Sequence, residues 1–272
     1  MAAENTNKYA LITGATMGIG YELAKLFAQD GYNLIVVARS QQDLDRIAQD
    51  FSQQYGVNAI PMATDLFDPN AAFKLYDDVK AAGLTVNVLV NDAGQGQYGL
   101  FVEQDIQRLL DIIQLNVNAF TVLTHAFLKD MVARNEGKIL QLASVASEVP
   151  GPYQAVYHAT KAYVLSLTEA LISEVKDTEV TLTALQPGAT NTDFFNKADM
   201  QDSKSVQDKS KMSDPAKVAK DGYEALMKGD DKVVSGTKNK IQVAMGNVLP
   251  DTLLADQTKK KQAPVDKSKE NQ

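Results

Sequence analysis

Tyr157 and Lys161 stand four residues apart in Tyr153–Lys176, a stretch with helical apolar spacing. On an α-helix that separation puts both side chains on one face. A phenol ionises at a pKa of about 10 and is a poor acid at neutral pH, but a neighbouring ammonium stabilises the phenolate and lowers that value. Such a pair can give a proton to a carbonyl oxygen while a hydride arrives at the carbon, or run the same exchange backwards. Ser144 follows Lys138–Ala143, which reads as a strand. Open α/β sheets bind ligands beyond the carboxyl ends of their strands, so the Ser144 hydroxyl can hold the same oxygen. A Tyr-x-x-x-Lys pair alone is no more than two side chains on a helix surface. Its meaning depends on what accompanies it.

Hydride chemistry needs a carrier, and the chain opens with a turn suited to one. Thr13-Gly14-Ala15-Thr16-Met17-Gly18-Ile19-Gly20 follows a β-branched run and leads into an amphipathic helix. Glycines there permit a tight turn and bring a helix N-terminus, with its free N–H groups and positive dipole end, against a pyrophosphate. The second strand ends Val36-Val37-Ala38-Arg39-Ser40. A site for NAD usually places Asp or Glu here to bind the ribose 2′-hydroxyl. Ala38 in that place, with the guanidinium of Arg39 and the hydroxyl of Ser40 beside it, favours a 2′-phosphate and hence NADP(H).

These residues need a scaffold with strand ends and helix starts at one edge. Tyr9–Thr13, Asn33–Ala38, Val57–Met62, Val86–Asn91, Lys138–Ala143 and Val180–Gln186 read as strands, several apolar without a break. Gly18–Asp30, Gln42–Gln54, Pro69–Ala82, Glu103–Arg134 (as two helices), Tyr153–Lys176 and Pro215–Lys228 read as helices. Unbroken apolar strands alternating with helices predict an α/β fold, a doubly wound parallel sheet of Rossmann type covered by helices on both faces. Asp68-Pro69 and Asp214-Pro215 read as helix starts, and Gly31, Gly56, Gly83, Gly137 and Gly229 as helix stops. With 272 residues, a single domain over 1–256 is expected. The polar segment 191–212 is expected to form a small substrate lid, and the lysine-rich 257–272 a disordered tail.

Composition narrows the function further. With 27 Lys+Arg against 34 Asp+Glu the net charge is −7, which argues against nucleic-acid binding. No cysteine is present, so disulfides and thiolate metal sites are excluded, and two histidines leave little for any other metal site. The N-terminus carries no apolar leader and no run reaches the length of a membrane span, so a cytoplasmic protein is expected. His158, next to Tyr157, should point away from the carbonyl, and His125 should be a core or interface residue.

Taken in order, these motifs resemble the short-chain dehydrogenase/reductase family over roughly residues 8–234. The resemblance rests on Thr13-Gly14…Gly18-Ile19-Gly20, Asn91-Asp92-Ala93-Gly94, Asn116, Ser144, Tyr157…Lys161 and Pro187-Gly188. It implies that Tyr157 is the general acid/base and that Ser144 orients the carbonyl. Lys161 would bind the nicotinamide ribose and lower the tyrosine pKa, while Asn116 would hold a relay water. It further implies cofactor contacts from Gly14, Thr16, Gly18, Ile19 and Gly20, from Asp65 and Leu66 near the adenine, and from Asn91, Ala93 and Gly94 near the adenosine ribose. Pro187, Gly188, Thr190 and Thr192 would lie over the carboxamide. Phe194 joins Ser144 and Tyr157 as an expected substrate contact. The family's Asn-Asn-Ala-Gly is here Asn91-Asp92-Ala93-Gly94, which leaves the detail of that turn open. The activity expected is an NADP(H)-dependent carbonyl reductase or alcohol dehydrogenase acting on a small molecule and assembled as a homodimer or homotetramer. The alternative is a regulator of the same fold that senses NADP(H) without turnover, although a sensor has no use for a proton relay.

Overall fold

The computed structural model describes residues 7–246 and 249–265. In chain order the elements are β1 (Tyr9–Thr13), α1 (Gly18–Gln29), β2 (Asn33–Ala38), α2 (Gln41–Tyr55), β3 (Ala59–Ala63), α3 (Ala71–Ala81), β4 (Val86–Asn91), α4 (Ile106–Ile113), α5 (Phe120–Arg134), β5 (Gly137–Leu142), α6 (Ala155–Glu174), β6 (Val180–Gln186), α7 (Phe194–Lys197), α8 (Pro215–Lys228), β7 (Lys232–Val234), α9 (Thr237–Gly246) and α10 (Asp251–Gln262). The strands form one parallel sheet in the order β3-β2-β1-β4-β5-β6-β7. The chain winds outward from β1 to β3, then returns to place β4 on the other side of β1. That reversal opens a crevice beyond the carboxyl ends of β1 and β4, where doubly wound sheets take their ligands.

Both faces of the sheet are buried, which is why several of the strands read as unbroken apolar runs. Alternate side chains serve opposite layers. Ala10, Ile12, Leu34, Val36, Val88 and Val90 pack under α1, α2 and α8, beside Leu23, Phe27, Phe51 and Leu226. Leu11, Ile35, Val37 and Leu89 pack on the other face against Leu75, Leu123, Phe127 and Met131. Every side chain named here is at most 2% exposed.

Several expected boundaries shift for local reasons. β3 runs over Ala59–Ala63 rather than starting at Val57. Pro69 does not open α3: Asp68 closes a turn by accepting the Asn70 N–H at 2.8 Å, and the helix starts at Ala71. Gly137 does not stop the preceding helix. Asn135 takes the left-handed conformation there (φ 54°), while Gly137 opens β5 where a Cβ would lie 2.3 Å from Met131. The two helices expected over 103–134 are α4 and α5; they start at Ile106 rather than Glu103 and are joined by a π-helical turn, Gln114–Ala119. Asp214 caps α8 as its sequence suggests, accepting the Ala216 N–H at 2.9 Å.

The expected tail over 257–272 is corrected in its first part. Gln257–Gln262 complete α10, Leu254 of that helix is buried, and the chain beyond is held by hydrogen bonds from Lys204 N–H to the Ala263 carbonyl and from Val265 N–H to the Asp202 carbonyl. The remainder, 266–272, lies outside the described residues. Among the described residues no helix is long and apolar enough to cross a membrane.

Candidate active site

The crevice at the sheet reversal is a cavity of about 650 Å³. One wall is the turn after β1. Gly14 has φ 73° and Gly18 φ 61°, a region L side chains rarely occupy. A Cβ on Gly20 would lie 2.6 Å from both the Asp92 carboxylate and the Gly14 carbonyl oxygen. Met17 stands at the N-cap of α1 without a side-chain cap, so N–H groups of the first turn are left to an external acceptor. The Asp92 carboxylate is packed against this start of the helix, beside Gly20. An uncapped helix start behind glycines suits a pyrophosphate. Behind it, the Thr13 hydroxyl accepts the N–H groups of Asp92 and Ala93, each at 3.1 Å, and donates to the Val90 carbonyl at 3.3 Å.

Beyond β2, Arg39 is exposed and its guanidinium lies 5.4 Å from the centre of the Phe67 ring. The Ser40 hydroxyl caps α2 by accepting the Asp43 N–H at 3.3 Å, and it keeps a hydrogen to donate. Arg39, Ser40, Asp65 and Leu66 all line the cavity, as does Asp43, a carboxylate the sequence reading did not single out. Thr16, Ile19, Ala93, Gly94, Pro187, Gly188, Thr190 and Thr192 complete that half. The Asn91 side chain is directed elsewhere. Its amide donates to Thr124 Oγ1 and Gln141 Oε1, both at 3.0 Å, inside the sheet.

Ser144, Tyr157 and Lys161 line the same cavity. Ser144 sits in the connection that follows β5, its hydroxyl accepting the Ala146 N–H at 3.0 Å. Lys161 Nζ is buried, donates to the Leu142 carbonyl at 2.5 Å and lies 5.9 Å from the centre of the Tyr157 ring. Burial pushes the Tyr157 phenol up to about 12, the Ser144 hydroxyl pulls it down, and the Asp92 charge adds to the rise. Burial pulls the Lys161 ammonium down to about 8, while Asp92 raises it. Asn116 is buried in the π turn behind this group. Its amide donates to the Gln95 carbonyl at 2.8 Å and to Thr160 Oγ1 at 3.0 Å, and its oxygen accepts the Gln95 N–H at 3.0 Å. A Cβ on Gly94 would touch both Lys161 Nζ (3.3 Å) and Asn116 Oδ1 (3.4 Å), so the two polar groups meet around that glycine.

The wall beyond Tyr157 is more apolar. The Phe194 ring centre lies 5.0 Å from that of Tyr157 and 5.5 Å from that of Phe195. Met200 reaches the cavity while also packing with Ala198 and Val206 in a small core of the segment 191–212. His158 also lines the cavity, but its Nδ1 pairs with the Val149 carbonyl at 2.8 Å, and burial lowers its pKa. His125 is exposed, contrary to a core placement. Sequence reasoning missed the roof supplied by α10. Gln262 approaches His158 Nε2 at 3.4 Å, and its carbonyl accepts from Tyr98 Oη at 2.5 Å and Ser203 Oγ at 3.1 Å. The adjacent Leu253-Leu254 was the available signal, outweighed by the lysines that follow.

Residues 8–203 match the family model for short chain dehydrogenases, and the chain belongs to the short-chain dehydrogenase/reductase family. It is 32% identical over 189 residues to a short chain dehydrogenase of Pseudocercospora fijiensis, covering 69% of this chain and 61% of that one. It is 35% identical over 179 residues to a very-long-chain 3-oxoacyl-CoA reductase of Laccaria bicolor, covering 64% of this chain and 52% of that one. The alignment therefore takes in only about half to three fifths of either relative. A short-chain dehydrogenase from Sphingobium yanoikuyae in complex with NADPH superimposes with a TM-score of 0.78 at 25% identity, over 89% of this chain and 96% of that one.

Proposed function

We propose that this protein is an NADP(H)-dependent oxidoreductase that reduces a ketone or aldehyde, or oxidises the matching secondary alcohol. The observation carrying the reading is the convergence of Ser144, Tyr157 and Lys161 in the crevice that begins at the glycine turn and Arg39. The cofactor supplies or accepts the hydride. Gly14, Thr16, Gly18 and Ile19 would hold its pyrophosphate, Arg39 and Ser40 its 2′-phosphate, and Asp65 and Leu66 would flank the adenine. Ala93 and Gly94 would meet the adenosine ribose, and Pro187, Gly188, Thr190 and Thr192 the carboxamide. Gly20 and Asn91 support this wall from behind.

Tyr157 Oη gives its proton to the substrate oxygen in reduction and takes it back in oxidation. Ser144 Oγ holds that oxygen during the exchange. Burial leaves the phenol too weak an acid for the task, and the Lys161 cation is the group able to offset that by stabilising the phenolate. Its own value near 8 keeps it mostly charged at neutral pH. Asn116 fixes the Gln95 backbone beside Lys161, where a water can pass protons on. Phe194, Phe195 and Met200 favour a substrate with an apolar substituent. A cytoplasmic homodimer or homotetramer is part of the same reading; exposed Ile106, Leu110 and Tyr163 offer apolar surface for such an assembly. Light scattering on the purified protein reads its assembly directly.

The test is NADPH oxidation by purified protein over a panel of ketones and aldehydes. Turnover that disappears in Tyr157→Phe, with coenzyme binding retained, is the expected result. No turnover with any carbonyl, or unchanged turnover in the variant, overturns the reading.

A further inference from the structure

Asp92 occupies a place no role above uses. It follows β4, and its carboxylate fills the space under the start of α1, so close that a Cβ on Gly14 would lie 2.9 Å from it and one on Gly20 2.6 Å. It is packed against Gly20, in the first turn of α1. The same residue lines the cavity. A carboxylate is thus seated at the helix terminus that would receive a pyrophosphate. Two anions at one helix N-terminus compete for the same N–H groups and the same dipole field.

We propose that Asp92 is a positioning residue for the coenzyme: as a carboxylate it occupies the N-terminus of α1 and opposes the pyrophosphate, and by taking up a proton as the coenzyme binds it yields that terminus. The ionisable groups that bear on it are Lys161 and Tyr157, both from α6. From β1, the glycine turn and the start of α1, the neighbours are uncharged: Thr13, Gly14 and Gly20. Burial raises the Asp92 carboxyl to about 7, against the pull of Lys161 and the Gly20 N–H, so the exchange falls in the neutral range. An asparagine of the same shape would lack it.

The inference rests on the nicotinamide reading, and its test separates the two. NADPH binding is measured by calorimetry in buffers of different ionisation enthalpy, from about pH 6 to pH 8. The protein is expected to take up a proton on binding and to lose about three- to tenfold in affinity across that range. Asp92→Asn is expected to flatten that loss and to bind more tightly at the alkaline end. Lys161 also titrates and loses the pull of Asp92 in the variant, so the carboxyl itself is followed separately. Carbon-13 NMR of the coenzyme-free protein should place the Asp92 carboxyl midpoint near 7. A midpoint near 4, in the ordinary carboxylate range, or parallel binding curves for the two proteins, overturns the role of Asp92 while leaving the coenzyme reading intact. Failure of both NADPH and NADH to bind at any pH overturns both.

Discussion

The two halves of the crevice are held in different ways. On the coenzyme side Gly14, Asp92 and Ala93 continue directly from β1 and β4, adjacent central strands, and the Thr13 hydroxyl ties the two strand ends together. On the substrate side α7 has only four residues, and Phe194, Met200 and Gln262 are placed by short turns, a small satellite core and hydrogen bonds to one carbonyl. Strand ends fix backbone positions to the pitch of the sheet, which suits a ligand that never changes. Irregular segments can be altered without disturbing the sheet, which suits the part of a site that must discriminate. Tyr157 and Lys161, on the buried helix α6, stand between the two.

The largest effect should come from the centre. Tyr157→Phe is expected to lower kcat/KM by about a hundred- to ten-thousand-fold, the range for removing a general acid, with coenzyme affinity unchanged in a fluorescence titration. A loss of coenzyme binding in proportion would move Tyr157 out of the centre and into the coenzyme half. Arg39→Ala should weaken NADPH by about tenfold or more, as expected for losing a charge-assisted contact to a phosphate, and leave NADH alone. Equal effects on both nucleotides would remove the 2′-phosphate role. On the other side, Tyr98→Phe deletes the hydrogen bond to the Gln262 carbonyl. It should raise the substrate KM a few-fold while the NADPH dissociation constant stays put; if both move together, the halves are not independent.

The smallest expected effect is on stability. The folded protein holds the Asp92 proton up to about pH 7, well above the ordinary carboxylate range. Between those limits the native state binds more protons than the unfolded chain, so this group's contribution falls as pH rises. Asp92→Asn should therefore raise the melting temperature by a few degrees at pH 8, with a gain that shrinks on acidification and vanishes below the ordinary carboxylate range. A gain independent of pH would mean the effect is packing.

The contrast between the halves also sets what could be read from the chain alone. β1, β2, β4 and β6 were legible to the residue because each is rich in apolar and β-branched residues, bounded by turn residues and largely buried. The glycine turn, Ser144 and the Tyr157–Lys161 pair were legible because their chemistry needs fixed residue types at fixed spacing. The direction of the Asn91 side chain was not legible, because its partners, Thr124 and Gln141, are distant in sequence. α10 was missed because a helix with three lysines in its last turn looks solvated, and its attachment through Gln262 to Tyr98, His158 and Ser203 has no local signature. The π turn at Asn116 likewise depends on Gln95 and Thr160, which helical periodicity does not report.

One oxygen atom has consequences beyond its size. Because the Thr13 hydroxyl serves two peptide N–H groups and one carbonyl at once, it rivets the floor of the crevice. Valine has nearly the same outline but would strand both amides, at a cost of about 1–3 kcal/mol for each buried donor left unmet. Only serine shares the needed oxygen, so this position should tolerate almost no drift, even while the loops above it are rebuilt for other substrates.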